Sequence, residues 1–89
     1  MSVTQLATRR QQTERLRQID GWIGNLAAAN NALGQHIECI QGLRERPVHE
    51  IMLQACVAAA AANVALAHAM ALVSCCREFA QEDAASDAH

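Results

Sequence analysis

Apolar residues recur along the first half of the chain with the spacing of a coiled-coil helix. Between residues 16 and 40 they step alternately by three and four positions with one gap, and the row comprises Leu16, Ile19, Ile23, Leu26, Leu33, Ile37 and Ile40. Asn30 fills the gap. A single polar residue at such a position often fixes the register of a coiled coil, at some cost in stability. The pattern therefore predicts a long helix whose apolar row packs on another helix.

The first helix is expected over residues 3–42, followed by a turn over 43–47. Ser2 and Gln5 fit a capping box at its start, and Gly42 is a candidate for the residue that ends it. Pro47 suits the beginning of a new helix better than a helix interior. The alternative is a first helix broken near Gly21 and Gly24, since each glycine costs about 1 kcal/mol relative to alanine.

The second half is an apolar, alanine-rich segment that predicts a helix over residues 48–82. From position 55 to 76 it carries no charged residue and ten alanines. The row expected to face the first helix comprises Val48, Met52, Ala55, Ala59, Ala62, Leu66, Ala69, Val73 and Cys76. Residues 83–89 have no apolar face, so we expect them to form a frayed tail.

Two helices joined by so short a link are expected to fold back on each other in antiparallel order. A turn centred between positions 46 and 47 sets Asn30 near Asn63 and Arg15 near Glu78, and the basic start of the first helix near the acidic end of the second. The fold class predicted for residues 1–82 is therefore all-α: one antiparallel, coiled-coil-like hairpin, with assembly into a four-helix bundle left open.

The second helix has more apolar surface than one neighbouring helix can cover. Contiguous apolar surface of this kind often marks an interaction site. The predicted partner-binding residues are Val57, Ala60, Val64, Ala67 and Ala71, together with Trp22, which the pattern places beside the helix seam. An alanine-coated surface that simply faces water is the alternative.

Charge and composition narrow the class of partner. The chain has a formal net charge of −2, and its seven arginines form no long basic face, so no nucleic-acid partner is expected. The first fifteen residues contain no apolar signal segment, which favours the cytoplasm and reduced cysteines. No membrane span is expected, because alanine is nearly neutral for membrane insertion and Gln54, Asn63, His68 and Ser74 would need partners inside lipid.

Little in the sequence points to chemistry. The best candidate for a metal site is His36, Cys39, His49 and Cys56, two residues from each side of the turn. The hairpin register matches the two cysteines better than the two histidines, and the spacing is looser than that of known zinc motifs. We therefore predict a protein that is not an enzyme and has no catalytic residue, metal or cofactor.

The format of the chain resembles a known group. An arginine- and acid-decorated first helix, TERLRQIDGWIGNLAAANNALGQHIECI, a short turn with proline, and a second helix opening HEIMLQACVAAAAANVALAHAM are similar to the small co-chaperones of bacterial type III secretion needle subunits. That resemblance implies a helical hairpin that pairs with a tetratricopeptide-like chaperone and keeps the secreted needle subunit soluble before export.

Two other functions fit the same pattern. One is a homodimeric four-helix bundle of structural role, formed through the alanine-rich surface. The other is a small membrane anchor, which would need detergent for solubility.

Overall fold

The protein is an elongated hairpin of two long helices. The computed structural model describes residues 3–87, with α1 over Val3–Gln41 and α2 over Val48–Asp87. The molecule measures 68 × 23 × 11 Å, and within the described residues no strand occurs. The predicted all-α antiparallel hairpin is confirmed.

Helix α1 continues without a break through the glycines that raised the alternative of two shorter helices. Gly21, Gly24 and Gly34 all lie inside α1 on exposed positions. A methyl group added at any of the three would meet nothing within 4 Å, so no packing contact requires glycine there. Helix formers on both sides and packing against α2 offset the intrinsic cost of these residues.

The turn is held by backbone hydrogen bonds between residues that are close in sequence, and it uses no glycine in the left-handed conformation. Gly42 donates to the Glu38 carbonyl over 3.1 Å, Leu43 to Ile40 over 3.0 Å, and Arg46 to Leu43 over 2.9 Å. Among the described glycines none has a positive φ, so Gly42 ends α1 without the left-handed conformation. The Pro47 carbonyl then accepts the first hydrogen bond of α2, from Glu50.

Helix α2 ends later than the pattern predicted. It continues to Asp87, five residues beyond the end expected at 82, and the fraying expected of residues 83–89 stays a prediction. Glu82 and Asp83 are bound by Arg15 of α1, and the alanines that follow them are strong helix formers. Residues 88 and 89, and Ser2 of the predicted capping box, lie outside the described residues.

The side of α1 that packs on α2 is partly different from the predicted row. Ile19, Leu26, Leu33 and Ile40 are half-buried, as expected. Leu16, Ile23, Asn30 and Ile37 are exposed, and their predicted seam positions are taken by the residues that precede them in the chain: Arg15, Trp22, Ala29 and His36. At every second seam position, the residue that faces α2 is therefore the one before the predicted residue. Neighbouring residues of a helix point about 100° apart, so the predicted residue points away from the seam.

In α2 the predicted row is wrong almost throughout. The half-buried or buried residues at seam spacing are Ile51, Gln54, Ala58, Ala61, Ala65, His68, Leu72, Cys75 and Phe79. Of the predicted row only Ala69 is half-buried, and its other members are exposed. Because α2 is apolar on nearly every side, its own pattern does not select one side for the seam. Among the described side chains only Ala58 is buried, with 9% of its surface exposed.

The register follows from the contact of Arg15 with Phe79. The Arg15 guanidinium lies over the Phe79 ring, 4.9 Å from its centre, so residues whose numbers add up to about 94 lie at the same level of the hairpin. Glu78 lies within about one residue of the level of Arg15, as expected, but the ion partners of Arg15 are Glu82 and Asp83. Long side chains point toward the start of their own helix. The Arg15 side chain therefore extends toward the start of α1, which lies beside the end of α2, where Glu82 and Asp83 are.

The two asparagines expected to meet at the seam do not lie on it. Asn30 and Asn63 are both exposed, so neither is a polar element of the hairpin core. Exposure leaves both amides in contact with water, whereas burial without partners would cost free energy.

Candidate functional site

A cluster of charged side chains links the two helices toward the open end of the hairpin. Arg15 donates hydrogen bonds to Asp83 over 2.7 Å and to Glu82 over 2.8 Å while its guanidinium rests on the Phe79 ring. The hydrogen bond to Asp83 is the main cause that raises the pKa of Arg15, and partial burial opposes it. Only 15% of the Arg15 side chain is exposed, so its stem packs in the seam while its charge is neutralised. This arrangement joins the two helices.

An open groove beside this cluster offers no chemistry of its own. It is lined by Gln12, Arg15, Leu16, Ile19, Phe79 and Asp83. Its one cationic side chain is already bound to two carboxylates, so an anion would have to displace them. The groove is therefore part of the helix packing rather than a binding site for a small ligand.

The residues considered as metal ligands do not converge. Cys39, His49 and Cys56 are exposed, whereas His36 lies half-buried on the seam and His68 lies there too. Within residues 3–87 no group of three histidine, cysteine or carboxylate side chains is placed to hold a metal ion. Burial raises the pKa of the half-buried Cys75 thiol, with smaller contributions from Cys76 and Glu78, so this thiol is protonated at neutral pH.

The predicted partner-binding residues separate into two groups. Val57, Ala60, Val64 and Ala67 are exposed along one side of α2, and with the exposed Leu53 they form what we call the α2 flank. Ala71, at the end of this row, is half-buried. Trp22 lies on the seam rather than beside it and is half-buried between the helices. The α2 flank is thus available to another protein, and Trp22 belongs mainly to the hairpin.

A second apolar surface, made of residues that the sequence pattern predicts inside the hairpin, lies on the side of the seam opposite the α2 flank. It combines exposed residues of both helices: Leu16, Ile23 and Ile37 of α1 with Met52, Ala55, Ala59, Ala62, Leu66 and Val73 of α2. We call it the two-helix face. The signal for it was present in the sequence, because its residues are those of the predicted seam. What the sequence pattern missed is that they point outward.

Helix α2 also has the length and composition of a membrane span. Its segment Val48–Ala85 is long and apolar enough to cross a bilayer, and the apolar window within it is not buried in the hairpin. Core helices of soluble proteins meet the same criterion, so this property is weak evidence for a membrane location.

Comparison of the chain with family models, with curated proteins and with solved structures gives no match.

Proposed function

We propose that this chain is a non-catalytic protein-interaction module whose α2 flank binds helices of another protein. The observation that carries the proposal is the exposure of large apolar residues along an uncharged stretch of α2: Val57 and Val64 remain 44% and 52% exposed in the hairpin. Apolar surface of this extent favours association with another apolar surface. A helix that offers valines at a spacing of seven residues suits docking into a helical groove.

The partner that fits the format of the chain is a helical chaperone together with a secreted needle subunit. In this proposal the hairpin works as a cytoplasmic co-chaperone that resembles those of type III secretion. The α2 flank lies against the chaperone helices, and the complex shields the aggregation-prone subunit before export. The support is the resemblance of the hairpin format and the unpartnered apolar flank; no membrane span, metal or cofactor enters the mechanism.

The first test is co-expression with the proteins encoded beside its gene, followed by size-exclusion chromatography of the soluble fraction. We expect the chain to co-elute with a tetratricopeptide-like chaperone and a small secreted subunit. If it elutes apart from both, the co-chaperone proposal is wrong. Material that is recovered only in detergent would instead support the membrane anchor.

The binding surface is tested with a charge placed on the α2 flank. Val64→Glu is expected to weaken binding of the chaperone about 100-fold or more, because an unpaired carboxylate would be buried in an apolar interface. Gln35→Glu adds the same charge to an exposed position of α1 and serves as the matched control. Circular dichroism should show unchanged helix content in both variants. Equal binding by the two would exclude the α2 flank as the contact surface.

A further inference from the structure

The two-helix face lies on one side of the hairpin and draws on both helices. In α1, Ile23 and Ile37 each follow a seam residue by one position, and in α2, Ala55 and Ala62 do the same. In an antiparallel pair the residues that follow corresponding seam positions lie on the same side of the seam. The face is therefore two helices wide and, from Met52 to Val73, about 32 Å long at 1.5 Å per residue.

The hairpin exposes more surface than a compact monomer of the same mass. The chain exposes 6883 Å². A folded monomer of its mass, 9.6 kDa, ordinarily exposes about 5,100 Å², so the excess is about 1,800 Å². A standard protein interface buries about 800 Å² on each partner, and permanent dimers bury more. This excess, which the elongated shape spreads over the whole hairpin, is more than twice the area that one partner contributes to a standard interface.

The chemistry of the two-helix face suits a second copy of the same chain. None of its nine defining residues is charged. The acidic Asp20 lies on the same side of α1 but ten residues from Asn30, so a two-fold contact centred at Asn30 does not bring the two Asp20 side chains together. Three exposed polar residues of α1, Asp20, Asn30 and Gln41, follow seam residues on this side, and of these Asn30 lies nearest the middle of the face, level with about residue 64 of α2. A carboxamide both donates and accepts hydrogen bonds, so it can pair with its own copy across an axis.

We propose that two copies of this chain pack through their two-helix faces as a four-helix bundle, with the two-fold axis crossing the hairpin at the level of Asn30. The α1 helices of the two copies then lie antiparallel with their Asn30 amides hydrogen-bonded to each other. The alanines of the two α2 helices lie against one another and allow a close approach. The α2 flank is on the other side of the seam and stays accessible, so dimer formation is independent of the partner contact proposed above.

The test is light scattering after size exclusion of the full chain, in reducing buffer without detergent, over a wide concentration range. We expect twice the 9.6 kDa chain mass for the unmodified protein. Leu66→Glu, on the two-helix face, should raise the dimer dissociation constant about 100-fold or more. Val64→Glu, two residues away on the α2 flank, is the matched control and should change it less than threefold. Ile23→Glu repeats the test from α1.

Each outcome has one meaning for the dimer. A monomer at every concentration, or equal effects of Leu66→Glu and Val64→Glu, would overturn it. Asn30→Asp should weaken the dimer at pH 7, where two carboxylates would meet at the axis, and an unchanged dissociation constant would overturn the axis position. Circular dichroism on the same fractions establishes that the variants remain helical. Loss of chaperone binding in Val64→Glu with an intact dimer would support the α2 flank as a separate site.

Discussion

Substitutions at three adjacent alanines of α2 test which side of this helix faces α1, because the three side chains point in different directions. Ala58 faces α1 and is the buried residue, Ala59 lies on the two-helix face, and Ala60 lies on the α2 flank. We predict that Ala58→Leu destabilises the hairpin, whereas Ala59→Leu and Ala60→Leu do not. Leucine and alanine have similar helix propensities, so the comparison reports packing rather than helix formation.

The magnitude follows from the burial of Ala58. Only 9% of its surface is exposed, so the three carbon atoms added by leucine must push the helices apart or force unfavourable rotamers. Overpacking of this kind costs about 1 to 3 kcal/mol, while exposed substitutions stay within about 0.5 kcal/mol. For a chain of this length the loss corresponds to a decrease in Tm of about 5 to 20 °C.

The assay is thermal and urea unfolding followed by circular dichroism at 222 nm. All variants are measured at one low protein concentration at which light scattering shows a monomer, because Ala59 would lie in the proposed dimer interface and association shifts the unfolding midpoint. If Ala58→Leu unfolds with the unmodified protein and Ala59→Leu unfolds earlier, the seam lies where the sequence pattern first placed it. The assignment of the two faces would then be wrong.

The remaining predictions concern the stability of variants at two glycines and the reactivity of one thiol. Gly24→Ala should raise the free energy of unfolding by about 0.5 to 1 kcal/mol, because its new methyl group meets open space inside α1. Gly42→Ala should raise it less, because Gly42 lies beyond the last residue of α1, where the helix propensity of alanine contributes little. Urea unfolding measures both, and a loss at Gly24 would contradict the open position. At pH 8 iodoacetamide should modify Cys75 more slowly than Cys39 or Cys56, since the raised pKa of Cys75 leaves a smaller fraction of its thiol as thiolate. Peptide mapping by mass spectrometry measures the three rates, and a Cys75 that reacts as fast as the other two would disprove the prediction.

The two proposed contacts use different surfaces of the hairpin. The two-helix face draws its large residues from both helices, and the α2 flank belongs to one helix only. On the α1 side of that flank the exposed positions include Gln18 and Asn25, which favour water over a second apolar layer. A dimer through the two-helix face would therefore still present one uncovered α2 flank on each copy.

The number of helices, their direction and most of their boundaries could be predicted from the sequence. Helix formers and the short turn at Pro47 were enough to predict an antiparallel hairpin, and the level of the two helices followed from the turn to within about one residue. The later end of α2 was not predicted, because the apolar pattern stops before residue 83 whereas the alanines that follow are strong helix formers without one.

What the sequence determined by itself is a pair of helices with a repeat of seven residues, and a repeat does not state which of two adjacent rows faces inward. Only the tertiary structure decided between the row of Ile23 and Asn30 and the row of Trp22 and Ala29. The second choice removes much of the largest apolar side chain from water and leaves an asparagine amide hydrated, whereas the first would bury that amide at the seam. Its consequence is that isoleucine and leucine side chains remain outside, where they form the two-helix face.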